Sequence, residues 1–109
     1  MRKLTLIRKK SIVASLMKVF VYVTSNLPGD MIIEGLNCRK VGELTNGKQA
    51  TYEIPDEGVY LFVVYDRLLP EAFHCKKFIP PGSADVTLYT KPKLNPFLGN
   101  PFELFDVQN

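Results

Sequence analysis

The side chains of this chain that could bind a metal ion are few, comprising one histidine and two cysteines. His74 and Cys75 are adjacent, whereas Cys38 lies far upstream. A zinc site needs three or four ligands at workable spacing, and adjacent residues of a strand point to opposite faces of a sheet. The sequence therefore predicts no metal and no cofactor. It favours Cys38 and Cys75 as small, semi-buried side chains and His74 as an exposed polar residue.

The spacing of the remaining reactive residues does not indicate a catalytic site. Ser25 and Ser83 fall in predicted turns without a neighbouring base, and the acidic pair Asp56-Glu57 falls in another turn, where solvated carboxylates are common. The sequence contains neither a nucleophile elbow nor a glycine-rich phosphate loop. We expect no catalytic residues and a non-enzymatic function.

Aromatic residues close to basic ones raise the alternative of an OB-like barrel that binds single-stranded nucleic acid. Phe20, Tyr22 and Tyr60 could stack on bases. The basic residues considered with them are Arg8, Lys9, Lys10 and Lys18. Against this, aromatic residues in strands usually pack in the core or across strands, and a net charge of +3 is small for a polyanion binder.

Protein binding is therefore the favoured function, with another protein or a second copy of this chain as the partner. The residues of the candidate interaction surface are aromatic, namely Phe20, Tyr22, Tyr60, Phe97 and Phe102. Aromatic side chains are enriched at protein interfaces because they bury a large area at a low entropic cost.

The first 25 residues bear on the compartment, because MRKLTLIRKKSIVASLMKVFVYVTS has the basic, apolar and small-residue parts of an export signal. Lys18 divides its apolar stretch, so neither half reaches the roughly 20 apolar residues that a membrane span requires. The same lysine disfavours a signal peptide. A cytoplasmic protein without a membrane span is the preferred interpretation, and export with removal of residues 1–25 is the alternative.

Two strands account for the same segment. Apolar residues recur at every second position, which is the period of a half-buried strand; they are Leu4, Leu6, Val19, Val21 and Val23. The polar positions of the first predicted strand include Lys3, Thr5 and Arg8. We interpret the segment as part of the fold.

Turn residues recur about every eight to twelve positions along the chain, which is typical of an all-β sandwich or barrel. Pro28-Gly29 predicts a type II turn, and Asn46-Gly47 predicts a hairpin with a type I′ turn. Gly42 marks an irregularity within a strand, and residues 59–66, VYLFVVYD, predict a strand that is buried on both faces. The sequence thus predicts a single domain over residues 1–109, a β-sandwich of about eight short antiparallel strands with an irregular tail over residues 91–109.

The glycines between Val21 and Asp66 follow an order that resembles PEGA-type domains and related small bacterial β-sandwich families. Glu34-Gly35, Gly42, Gly47 and Gly58 occupy the places where that family has an acidic residue followed by glycine, and then further turn glycines. The chain departs from the pattern in an insertion, TSNLPGDMI, and in Tyr60. The resemblance implies a β-sandwich and an accessory or binding module.

The tail repeats one tripeptide, Asn95-Pro96-Phe97 and Asn100-Pro101-Phe102. Exposed copies would resemble ligands of endocytic adaptor domains, and two copies would raise avidity. The apolar content of the tail favours another arrangement, because so much apolar surface is rarely left in water. We expect Phe97, Phe102 and Phe105 to pack back over an open edge or end of the sandwich.

Overall fold

The computed structural model describes residues 1–10, 18–26, 29–65, 74–92 and 102–106, and these form β-strands with no helix. The predicted Pro28-Gly29 turn lies partly outside this range. The described ranges contain no helix that is long and apolar enough to cross a membrane. The strands are β1 (Arg2–Arg8), β2 (Val19–Thr24), β3 (Met31–Ile33), β4 (Leu36–Leu44), β5 (Gln49–Ile54), β6 (Val59–Val64), β7 (His74–Ile79), β8 (Val86–Pro92) and β9 (Phe102–Asp106).

Two sheets make up the fold, which confirms the predicted all-β class. The four-stranded sheet has the order β5-β1-β8-β9, and the five-stranded sheet has the order β3-β4-β2-β6-β7. Nine strands are described, in agreement with the predicted number of about eight. The prediction of antiparallel pairing throughout is wrong at one place, because β1 and β8 are parallel. Parallel neighbours need a long connection, and the chain between β1 and β8 includes the whole five-stranded sheet.

The main core lies between the two sheets and is built from the predicted alternation. It contains the five apolar residues predicted to face inward from β1 and β2, each at most 1% exposed. Leu61 and Val63 of β6 face the same core, whereas Phe62 and Val64 are buried on the opposite face. The prediction that β6 is buried on both faces is confirmed.

Arginines occupy both ends of the inward face of β1. The prediction that Arg8 belongs with the outward residues is wrong: it shares the even positions of Leu4 and Leu6, and its side chain is 0% exposed. Arg8 Nη1 donates to the carbonyl oxygen of Leu44 at 2.9 Å, and burial lowers the pKa of the guanidinium. At the other end, Arg2 Nε donates to Pro55 O at 3.1 Å. Arg8 thus links β1 to the end of β4, and Arg2 links it to the loop between β5 and β6.

A second buried cluster lies on the other face of the five-stranded sheet. Its members are apolar or aromatic residues from three strands and the β3 edge: Tyr22, Ile33, Cys38, Phe62 and Val64. Glu34, at the tip of the β3–β4 hairpin, contacts His74 and Lys76 on β7, although β3 and β7 are opposite edges of this sheet. The sheet therefore curls until the hairpin tip reaches β7, which places the hairpin over the cluster.

A β-bulge in β4 contributes to this curl. Val21 pairs with Gly42 and Tyr22 pairs with Lys40, so Val41 is the extra residue. The irregularity predicted at Gly42 is confirmed. Bulges bend a strand and increase its twist, as a sheet that curls onto its own face requires.

The Asn46-Gly47 prediction is wrong in its turn type and in what the turn connects. Gly47 has a φ of 75°, but Asn46 lacks the positive φ that a type I′ turn requires. The turn joins β4 of one sheet to β5 of the other, and it is closed by Lys48 N donating to Thr45 O at 3.1 Å. The two-residue hairpin loop with positive φ at both positions is Glu34-Gly35, at 54° and 76°.

The prediction of an irregular tail is wrong for residues 102–106, which form β9. This strand pairs antiparallel with β8 at the edge of the four-stranded sheet, and Leu104 packs against the main core. Phe97 and the side chains of Phe102 and Phe105 lie outside the described part of the chain, so their packing stays a prediction.

Candidate binding surface

An exposed aromatic side chain, Phe78, marks the candidate binding surface. It lies near the end of β7 on the face that carries the second cluster, and 46% of it is exposed. Its cross-strand neighbour is Tyr60 of β6, and the two rings lie 5.0 Å apart between centroids at an interplanar angle of 55°. Tilted aromatic pairs at this distance are stabilising. Phe78 is therefore exposed but supported by a neighbouring ring.

Gly58 sets how closely the Phe78 ring lies against the backbone. A Cβ at position 58 would be 2.9 Å from Cζ of Phe78 and 3.3 Å from Cδ of Pro81. Glycine lacks a Cβ, so the Phe78 ring can lie directly against the main chain just before β6. Tyr60, Gly58 and Pro81 together limit the positions that the ring can adopt.

Two hollows meet at Phe78. The smaller, of about 220 Å³, lies between the β3–β4 hairpin and the start of β6, and Leu36, Asn37 and Tyr60 form part of its wall. The larger, of about 560 Å³, lies between the end of β7 and the start of β8, and its apolar lining includes Pro81 and Leu88. Phe78 lines both hollows and so forms the ridge between them.

The charged groups around the larger hollow are engaged with one another or with the main chain. Lys77 Nζ lies 3.1 Å from Asp106 Oδ2, which links β7 to β9 across the two sheets. Asp85 Oδ1 accepts a hydrogen bond from the backbone N–H of Lys3 at 2.9 Å. Arg2 Nη2 donates to Glu57 O at 3.2 Å. The rim is thus charged but internally compensated, and the interior of the hollow is suited to apolar side chains.

A polar cluster holds the hairpin that walls the smaller hollow. Glu34 accepts hydrogen bonds from Lys76 Nζ at 2.7 Å and from His74 Nε2 at 2.8 Å. The hydrogen bond from Lys76, followed by that from His74, holds the pKa of the Glu34 carboxyl below its usual value. The hydrogen bond to Glu34 in turn raises the pKa of Lys76. The edge of the His74 ring also packs on Phe62, with 5.5 Å between centroids.

The prediction that His74 is an exposed polar residue is wrong, because only 12% of its side chain is exposed. Cys75, the next residue, packs against the main core, while Cys38 belongs to the second cluster on the opposite face of the sheet. The two cysteines form no disulfide, and the sheet separates their thiols. Among the described residues, no group of three or more His, Cys, Asp or Glu side chains is placed to hold a metal ion.

The aromatic residues predicted from the sequence share a face but not an exposed surface. Tyr22 is 2% exposed within the second cluster, and Phe20 and Tyr60 pack half-buried against it. Tyr60 also lines the smaller hollow. Phe97 and the side chain of Phe102 lie outside the described residues, although the backbone of Phe102 begins β9.

The basic residues considered for nucleic-acid binding are also dispersed. Arg8 is buried, and Lys9 lies over the ring of Tyr89 on the four-stranded sheet, 4.6 Å from its centroid. Lys18 pairs with Glu43 on the other sheet, at 3.3 Å. Burial of Tyr22 and Arg8 removes two groups from a base-stacking platform of the kind that such binding requires.

Sequence reasoning missed Phe78. The signal was present in KKFIPPG, because Ile79 next to a turn is an inward residue and alternation then directs Phe78 outward. What alternation does not indicate is whether an outward aromatic residue is covered by another segment.

A scan of protein-family models found no match to this chain, and a search among curated proteins found no similar sequence. The resemblance to PEGA-type domains stays a prediction.

Proposed function

We propose that this chain is a non-enzymatic protein-binding module and that the surface around Phe78 binds an extended peptide segment of its partner. The observation that carries the proposal is a 46% exposed phenylalanine, supported by Tyr60 and Gly58, between two hollows. Interface hot spots are typically aromatic residues held in place beside well-formed pockets. A ring that is already fixed loses little entropy when a partner covers it.

The chemistry of the hollows favours an apolar segment over a nucleic acid. Phe78, Pro81 and Leu88 offer contact area to aliphatic or aromatic side chains. Lys77, which lines the larger hollow, is paired with Asp106. A phosphate backbone would find little uncompensated positive charge here. We therefore expect recognition by apolar side chains of the peptide, with orientation set by main-chain hydrogen bonds at the surrounding turns.

The cytoplasm remains our proposal for the compartment. It is consistent with cysteines at positions 38 and 75 that form no disulfide, because disulfides are rare in that compartment. The resemblance to PEGA-type domains, which implies accessory or binding modules, agrees with the proposed function.

Selection from a random peptide library displayed on phage, with the full chain immobilised, tests this function. A selected peptide is then titrated against the wild type, Phe78→Ala and Tyr89→Ala. Tyr89 serves as the control because it is an aromatic residue of the other sheet, in β8. We expect Phe78→Ala to weaken binding by about 30-fold or more, which is the hot-spot range, and Tyr89→Ala by less than about 3-fold.

Two results would contradict the proposal. One is a set of selected peptides whose affinity is unchanged by Phe78→Ala while the variant keeps the circular dichroism spectrum of the wild type. The other is no peptide selection together with tight binding of a single-stranded oligonucleotide that weakens steeply as salt rises, which is the behaviour of the OB-like alternative.

A further inference from the structure

The strand β5 forms an edge of the four-stranded sheet, whereas Phe78 lies on β7 of the other sheet. Among the described strands it pairs with β1 alone. Its register with β1 runs without a bulge from Gln49 to Ile54, and it contains no proline. Natural proteins usually protect such edges with bulges, prolines or several charges, because an open edge is a template for another strand.

The direction of the free backbone groups of β5 follows from its pairing. Arg8 N donates to Lys48 O, so even-numbered residues of β5 direct their N–H and C=O groups towards β1. Gln49, Thr51 and Glu53 therefore direct theirs away from β1. The side chains of these same residues are exposed on the outer face of the sheet.

We propose that β5 pairs with β5 of a second copy of this chain, antiparallel and centred on Thr51, joining two four-stranded sheets into one. Thr51 then lies opposite Thr51 of the other copy, and Gln49 opposite Glu53. Each of these pairs can exchange two backbone hydrogen bonds, since all their N–H and C=O groups point outward. A register shifted by two residues would leave some of those groups without a partner.

The charges of the edge favour a second copy in this register. Glu53 is the one acidic residue of β5 and would face the amide of Gln49 instead of another carboxylate. On its own side, Glu53 is the cross-strand neighbour of Lys3. Each carboxylate would thus lie between an ammonium group of its own chain and an amide of the other, with no like charges opposed.

A row of threonines supports the same arrangement. Thr5 and Thr51 are cross-strand neighbours whose hydroxyl oxygens lie 3.0 Å apart. The two-fold pairing would extend this row across the interface, because the two copies of Thr51 would be neighbours on the same face. Threonine pairs across strands are among the stabilising combinations in antiparallel sheets.

Sedimentation velocity over a range of concentrations tests the proposal, with two substitutions at one position that differ in the sign of their charge. Gln49→Lys would place an ammonium group opposite Glu53 of the other copy. Gln49→Glu would place a second carboxylate opposite Glu53. Each contact occurs twice in the dimer. We expect Gln49→Lys to tighten the dimer, and Gln49→Glu to weaken it, by about 2- to 30-fold each.

Two further variants separate this interface from other modes of association. Thr51→Pro should abolish the dimer while keeping the fold, because the N–H of residue 51 points away from β1 and proline is tolerated at such edge positions. Phe78→Ala, in β7 of the other sheet, should leave the dimer unchanged. A wild type that stays monomeric at its highest soluble concentration would overturn the proposal. So would a dimer that responds to Phe78→Ala but not to the substitutions at Gln49.

Discussion

Two glycines that lie against aromatic rings at similar distances should respond differently to the same substitution. A Cβ at Gly42 would lie 2.7 Å from Cε1 and 2.8 Å from the hydroxyl oxygen of Tyr52, and a Cβ at Gly58 would lie 2.9 Å from Cζ of Phe78. The rings differ in their freedom to move. Tyr52 packs against the core between the sheets and its hydroxyl oxygen is buried, whereas Phe78 is 46% exposed.

The expected magnitudes follow from that difference. Overpacking a buried site costs about 1–3 kcal/mol, and replacing glycine by alanine returns about 0.4–1 kcal/mol by restricting the unfolded chain. Neither Gly42 nor Gly58 has a positive φ, so alanine fits both backbones. Gly42→Ala should therefore lower the free energy of unfolding by up to about 2.5 kcal/mol, and Gly58→Ala should leave it within about 0.5 kcal/mol because a small displacement of the Phe78 ring towards solvent relieves the contact.

Urea unfolding of both variants measures these differences, and a double-mutant cycle tests the cause. Tyr52→Val removes the ring that a Cβ at position 42 would meet, so the cost of Gly42→Ala should largely disappear in that background, with a coupling energy of about 0.5–3 kcal/mol. Equal effects of the two glycine substitutions, or a cost of Gly42→Ala that persists in the Tyr52→Val background, would refute the packing argument.

Four further outcomes are expected. The folded-state pKa of Glu34 is depressed below its usual 4.5, so its contribution to stability is present above that pH and is lost as pH falls through the folded-state pKa. Urea unfolding between about pH 5 and 3 should therefore show a smaller loss of stability with falling pH for Glu34→Gln than for the wild type, and equal slopes would count against the contacts of Glu34. Thiol titration of denatured protein from its natural source should find both Cys38 and Cys75 reduced, and thiols that appear only after reductant would argue for an oxidising compartment. Deletion of residues 1–23 should abolish soluble folding because β1 and nearly all of β2 are interior strands of the two sheets; a well-folded product would revive the signal-peptide alternative. Phe102→Ala should lower the thermal midpoint by many degrees, since truncating a buried phenylalanine costs about 3–5 kcal/mol, and an unchanged midpoint with lost partner binding would make the tail a displayed ligand.

Local alternation predicted which side chains of a strand are buried, because side chains of neighbouring residues point to opposite faces whatever the rest of the chain does. The valines of β2 and the leucines of β1 are the clearest examples. Arg8 follows the same period and is buried. The prediction that it faces outward was wrong because it followed from the charge of the side chain and not from its position in the strand. A long arginine side chain can be buried at the end of a strand where its guanidinium reaches a carbonyl oxygen, as it does at Leu44.

Sheet membership could not be predicted from the turns. Asn46-Gly47 is a good local hairpin signal, yet the strands on its two sides belong to different sheets. The partner of β5 is β1, and every paired position is more than forty residues away in sequence. Pairing of that kind is decided by which apolar faces meet when the sheets pack, and a turn of a few residues carries no information about it.

Part of the candidate site was predictable and part was not. Tyr60 was identified as an aromatic residue on a strand, and it lines the smaller hollow. Phe78 shares its face and pairs with it across the strands, and the β3–β4 hairpin contributes Leu36 and Asn37 to the hollow that Phe78 lines. That hairpin reaches over the sheet from the opposite edge, so the surface around Phe78 exists only in the folded chain.

Glu34 shows why local rules fail at this place. A glutamate at a φ of 54° occupies a position that glycine or asparagine would fill with less strain, and turn chemistry alone would not select it. Its carboxylate contacts His74 and Lys76 on β7. Glycine has no side chain to make these contacts, and the side chain of asparagine is shorter than that of glutamate. The contacts of Glu34 with β7, at the far edge of the sheet, thus offset the backbone strain of its positive φ. Because the same hairpin places Leu36 beside Phe78, a strained turn residue helps to shape the proposed binding surface.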